Sequence, residues 1–87
     1  MANKRTLKKT INLICDELLV DCIAAIHYGV QHRDNTTALL LSIIRMQDDF
    51  IARVSHPEPG MPPKRYYGQL RERFSAQASE LLDQIYL

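Results

Sequence analysis

The residues of this chain that could do chemistry are two cysteines, three histidines and two adjacent pairs of carboxylates. A nucleophilic cysteine needs a nearby base and access to solvent. Cys22 falls on an apolar stripe and Cys15 beside it, so core packing is the expected role of both. They stand seven apart in a helical pattern. Seven residues of helix rise about 10.5 Å, beyond the Cα separation that a disulfide tolerates, so the two cannot bridge while that helix is intact. Buried, reduced thiols fit a cytoplasmic protein. His27, His32 and His56 lie in or beside expected loops, and none has a second histidine three or four residues away. A di-metal helical bundle needs Glu-x-x-His on paired helices, and no such pair occurs; histidines so placed are more often surface or capping residues than ligands. No metal and no cofactor are therefore expected. Asp16-Glu17 and Asp48-Asp49 are helical neighbours pointing about 100° apart, so neither pair shares a site. Asp16, Glu17 or Asp48 could instead turn into the bundle and meet Arg45 or Arg71. Gly29, Gly60 and Gly68 are isolated, and no glycine loop cradles a phosphate. With no catalytic constellation on this inventory, the chain is read as not an enzyme.

The elements that position these residues are helices divided by one proline-rich break. Ser55-His56-Pro57-Glu58-Pro59-Gly60-Met61-Pro62-Pro63 holds all four prolines. Before it, Leu7, Ile11, Ile14, Leu18, Cys22, Ala25 and Ile26 step by three and four, which predicts a first helix over about 4–28. Leu13, Val20 and Ile23 lie off that stripe, and a helix apolar on more than one side is buried by more than one neighbour. Gly29 suits a left-handed stop, with Val30 packing back on the last turn. A second helix is expected over about 36–54, with Asp34, Asn35 or Thr36 able to cap it and Asn35 or Asp34 favoured. Its stripe is Leu40, Ile43, Gln47, Phe50 and Val54, widened by Leu39, Leu41, Ile44, Met46 and Ile51. Arg45, Asp49 and Arg53 can form a ladder of weak exposed ion pairs.

Pro57 biases His56 away from helical angles and ends the second helix by Ser55. Pro59-Gly60 reads as a turn, and Met61 as an apolar peg that fixes the loop to the core. Pro63 suits the first position of a third helix over about 64–85. That helix carries the stripe Tyr67, Leu70, Phe74, Ala78, Leu81 and Ile85. Gly68 inside it costs about 1 kcal/mol relative to alanine, which suggests close approach of another backbone. No strand pattern competes. The expected fold is all-α, a three-helix up-down-up antiparallel bundle forming one domain over 1–87.

Eighty-seven residues with 46% apolar and 24% charged composition are ordinary for one globular domain. Asp16, Glu17 and Asp21 interrupt what would be the apolar region of a signal peptide. The longest apolar run, Ala38 to Ile44, is too short to span a bilayer. The chain is read as cytoplasmic, and no membrane partner is expected.

The net charge is only +1, but its distribution is uneven. In an up-down-up bundle Lys4, Arg5, Lys8, Lys9, Arg53, Lys64 and Arg65 gather at the pole that carries the proline-rich loop, faced by Glu58. Asp34, Glu80 and Asp83, with Arg33, mark the other pole. Flexible surface lysines aid solubility and explain such a cluster without a ligand. The functional alternative is an anion-binding pole for phosphate, an acidic protein or nucleic acid. Tyr66 beside Lys64 and Arg65 would add a free aromatic face. The loop residues His56, Pro57, Glu58, Pro59 and Met61 could form a rigid strap or an extended recognition segment.

Lys4-Arg5-Thr6-Leu7-Lys8-Lys9 followed by Ile11, together with Ser55-His56-Pro57-Glu58-Pro59-Gly60-Met61-Pro62, resembles a group of short, uncharacterised helical proteins of bacteria. The resemblance covers nearly the whole chain and implies a compact all-helical fold; nothing about function carries over from it. Taken together, the residues point first to a small helical protein that acts through protein–protein contacts, including a homo-oligomer, with a dimer favoured. They point second to anion or nucleic-acid binding at the basic pole.

Overall fold

A computed structural model gives the fold of residues 4–29 and 33–86. It is a three-helix bundle of α1 (Lys4–His27), α2 (Arg33–Ser55) and α3 (Pro63–Tyr86), with every helix packed on the other two. Its extents are 47 × 19 × 17 Å, so the helices lie side by side along one axis. The amide of Gln47 donates to Asn12 Oδ1 at 3.0 Å, and the Tyr66 hydroxyl donates to the carbonyl of Arg53 at 2.8 Å. These two bonds place the start of α1, the end of α2 and the start of α3 at one end, as an up-down-up path requires.

The helices follow from apolar spacing, but the buried stripes are turned slightly from those expected. In α1 the buried line is Leu7, Ile11, Cys15, Leu18, Cys22 and Ala25. Ile14 is only half-buried, and Ile26 is 38% exposed. Cys15 and Cys22 are free thiols within the core, as expected. The helix ends where a left-handed residue becomes available. Tyr28 N–H donates to Ala24 at 2.9 Å, and Gly29 adopts φ 72 while its N–H reaches Ile26 at 3.1 Å. The expected return of Val30 onto this turn, and His32, lie outside the described residues.

α2 starts a turn earlier than expected. Asp34 and Asn35 lie inside its first turn and do not cap it. The Asp34 carboxylate there complements the positive helix end. Thr36 is fully buried at the head of the line Leu39, Ile43, Met46, Phe50 and Val54. Leu40 and Gln47, expected on the central stripe, are half-buried. The bond to Asn12 places Gln47 at the seam with α1. Asp16, Glu17 and Asp48 are all exposed, so none turns into the bundle. Of the expected ladder on α2, Arg53 reaches Asp49 at 3.1 Å, and Arg45 makes no ion pair among the described residues.

α3 begins with Pro63 in the first helical position, and Tyr66 N–H donates to Pro62 at 3.0 Å. Leu70, Phe74, Ala78 and Ile85 are buried on the expected stripe. Phe74 meets Phe50 edge to face at 5.3 Å between ring centres, a geometry worth about 0.5–1.5 kcal/mol beyond area burial. Gly68 is a correction. A Cβ built there meets nothing within 4 Å, so no neighbouring backbone explains this glycine. Among the described residues, no helix is long and apolar enough to cross a membrane.

Candidate functional site

The end that carries the proline-rich loop is built by backbone groups that helix termini leave unpaired. At the end of α2, His56 N–H takes the Ala52 carbonyl at 3.0 Å. Tyr66 takes the Arg53 carbonyl and lies 3.4 Å from that of His56, and the Tyr67 hydroxyl donates to Val54 at 3.4 Å. The two rings also meet edge to face at 5.5 Å. Tyr66 is therefore no free stacking platform: its ring packs against the core and its hydroxyl caps α2.

The loop turns at Glu58-Pro59-Gly60-Met61. Met61 N–H donates back to Glu58 at 3.4 Å and Gly60 adopts φ 85, the conformation of a type II turn. His56, Pro57, Glu58 and Pro59 are exposed. Met61 is half-buried but lies outside the set of side chains packed on the core, so the tyrosines, and not this methionine, fix the loop.

The expected cations do collect at this end. Lys4, Arg5, Lys9, Lys64 and Arg65 are exposed, and Lys8 is half-buried. The first turns of α1 and α3 contain no acidic residue, so each positive helix end meets cations. Arg53 is engaged separately, paired with Asp49 and lying 5.3 Å over the Phe50 ring. With Arg45, Arg71 and Arg73, ten of the eleven lysines and arginines lie in this half of the rod. Asp48, Asp49, Glu58 and Glu72 share that half. The other six carboxylates, Asp16, Glu17, Asp21, Asp34, Glu80 and Asp83, lie in the opposite half with Arg33 alone. A chain of net charge +1 is thus split into halves of opposite sign.

A second surface lies on α1, on the side away from its core. Leu13, Val20 and Ile23 are 57%, 64% and 59% exposed. Leu13 and Val20, with Asp16, Glu17 and Asp21, line a shallow depression of about 300 Å³. Its lining thus combines two aliphatic side chains with three carboxylates. Along the seam with α3, a groove of about 280 Å³ runs over Ile14, Leu18, Ala78 and Leu82, edged by Glu17 and Asp21. The small side chains Ser75, Ala78 and Ser79 of α3 leave this space open. Beyond it, the pKa of Tyr86 is raised, by desolvation first and then by the Asp21 charge. On the other flank of α1, the Asn12–Gln47 register brings Leu41 and Ile44, 48% and 43% exposed, level with its middle. Sequence pattern alone had marked Leu13, Val20 and Ile23 as off the core stripe, but assigned them to a further neighbour within the fold.

The buried groups offer no reactive site. Burial, reinforced by Asp16, pushes the Cys15 thiol up to about 11 from 9.0, and burial with Asp21 raises that of Cys22. Both stay protonated and unreactive near neutral pH. Among the described residues, no three His, Cys, Asp or Glu side chains could hold a metal ion. Comparison with known proteins yields no relative: no protein family, curated protein or solved structure matches the chain.

Proposed function

We propose that this chain works by protein–protein contact as a small assembly module, with the outward face of α1 as the contact surface. One observation carries the reading. Leu13, Val20 and Ile23 are each more than half exposed, on the side of α1 that its own bundle leaves uncovered. Scattered exposed apolar residues are ordinary, whereas a grouped apolar surface with a polar rim is what partner faces offer. A homodimer is the simplest assembly that would cover this face.

The test compares the wild-type chain with Leu13→Ser/Val20→Ser by light scattering. The expected result is an oligomer for the wild type and a monomer for the variant, with helical content unchanged. The same association state in both overturns the reading.

A second reading is favoured by the charge split: the half that holds ten of the eleven basic side chains would bind an anionic polymer. Titration with single- and double-stranded oligonucleotides at two salt concentrations tests it. No binding at low salt, or binding unchanged by Lys8→Glu/Lys64→Glu, removes it.

A further inference from the structure

We propose that the partner is a second copy of this chain, docked antiparallel along the outward face of α1. This rests on the contact-face reading above and adds the partner and its direction. The argument is charge complementarity within one helix. α1 carries Lys4, Arg5, Lys8 and Lys9 in its first two turns and no anion there. From Asp16 onward it carries Asp16, Glu17 and Asp21 and no lysine or arginine. A parallel pairing of two such helices sets like charge against like along its whole length. An antiparallel pairing sets each basic end on the other copy's acidic middle, twice by symmetry.

The shape agrees with the charge. The depression on α1 is lined by Leu13 and Val20 together with Asp16, Glu17 and Asp21. A basic helical segment with long aliphatic stems fits such a surface, because arginine and lysine lay their methylenes on apolar ground and keep their charge at the edge. Arg5 and Lys9 are exposed and supply that segment from the same chain. Lys9 and Asp16 lie equally far on either side of the Asn12–Leu13 position. A twofold axis there brings Lys9 of each copy to Asp16 of the other, sets the two Leu13 side chains together and lays Arg5 over Val20. It also lays Lys4 to Lys9 of each copy along Asp21 to Asp16 of the other.

Charge reversal in two sets tests this. One variant is Arg5→Glu/Lys9→Glu and the other Asp16→Lys/Glu17→Lys. All four side chains are exposed, so the fold is expected to survive, and circular dichroism checks it. Each variant alone sets like charges together at both contacts, and its dimer dissociation constant is expected to rise at least tenfold. An equimolar mixture of the two restores opposite charges at both contacts, and is expected to form a heterodimer of near wild-type affinity. A mixture that stays monomeric overturns the antiparallel pairing. So does a wild-type dimer that both reversals leave intact. If that dimer is still broken by Leu13→Ser/Val20→Ser, the contact face stands and only the proposed pairing falls. A wild-type chain that is monomeric at its highest soluble concentration overturns both.

Discussion

The two sides of α1 carry the same kind of spacing and have opposite fates. Inward, Leu7, Ile11, Cys15, Leu18, Cys22 and Ala25 recur by threes and fours and are all buried. Outward, Lys9, Leu13, Asp16, Val20, Ile23 and His27 recur the same way and are all exposed. Both sets could pack against a helix, because both form a stripe at helical period. What differs is composition. The inward stripe is apolar throughout, and α2 and α3 cover it. The outward stripe mixes aliphatic and charged residues, as a surface does when it must live in water and also meet a partner. Apolar period in a small bundle therefore reports that a helix can be covered, not that its own chain covers it.

The largest test of this contrast uses two positions two residues apart. Leu18→Ala is expected to cost about 2–5 kcal/mol of stability, the usual range for a leucine removed from a core. Val20→Ala is expected to stay within about 0.5 kcal/mol, as surface substitutions do. Both are read from urea unfolding of samples diluted below any association. Equal costs would break the contrast.

Alkaline pH probes the inward side next. The Cys15 pKa is raised to about 11 from 9.0, so burial favours the neutral thiol in the folded state. That contribution is fully present below the unfolded value, and is lost as the pH climbs from 9.0 through about 11. A two-unit shift corresponds to about 2–3 kcal/mol. Stability is expected to fall across this window, and Cys15→Ala should flatten part of the fall. An identical profile in the variant would show that the thiol is not the group responsible.

The smallest effect has the opposite sign. Gly68 is exposed in the second turn of α3, with open space where a side chain would stand. Gly68→Ala is expected to stabilise the chain by about 0.5–1 kcal/mol, through helix propensity alone. A loss of stability would mean that this stretch of α3 has a neighbour the bundle does not show.

Much of the fold was legible in the sequence, for identifiable reasons. Proline at 57, 59, 62 and 63 divides two helices unambiguously, and Gly29 marks the end of the first. The start of α2 was not legible, because Asp34 and Asn35 serve equally well as caps and as first-turn residues. Thr36 shows the same ambiguity: a polar residue expected near a helix start is fully buried inside it. The exact direction of each stripe was blurred where apolar residues adjoin, as at Ile14-Cys15 and Leu39-Leu40. The basic end was legible from topology and charge together. The role of Tyr66 was not, since hydroxyl-to-carbonyl bonds across 13 and 10 residues leave no local pattern. The outward face of α1 was visible as residues, but its exposure depends on how three helices share their sides.

The paired tyrosines have one further consequence. Tyr66 and Tyr67 fasten the end of α2 directly to the start of α3, so the peptide between them is held by its surroundings and holds little itself. His56 to Gly60 are exposed. Exposed tips of this kind are where chains accept inserted sequence with least harm. The turn at Pro59-Gly60 is therefore a natural port on this molecule, where a reporter or a fused domain can enter at one end of the rod while the three helices keep their places.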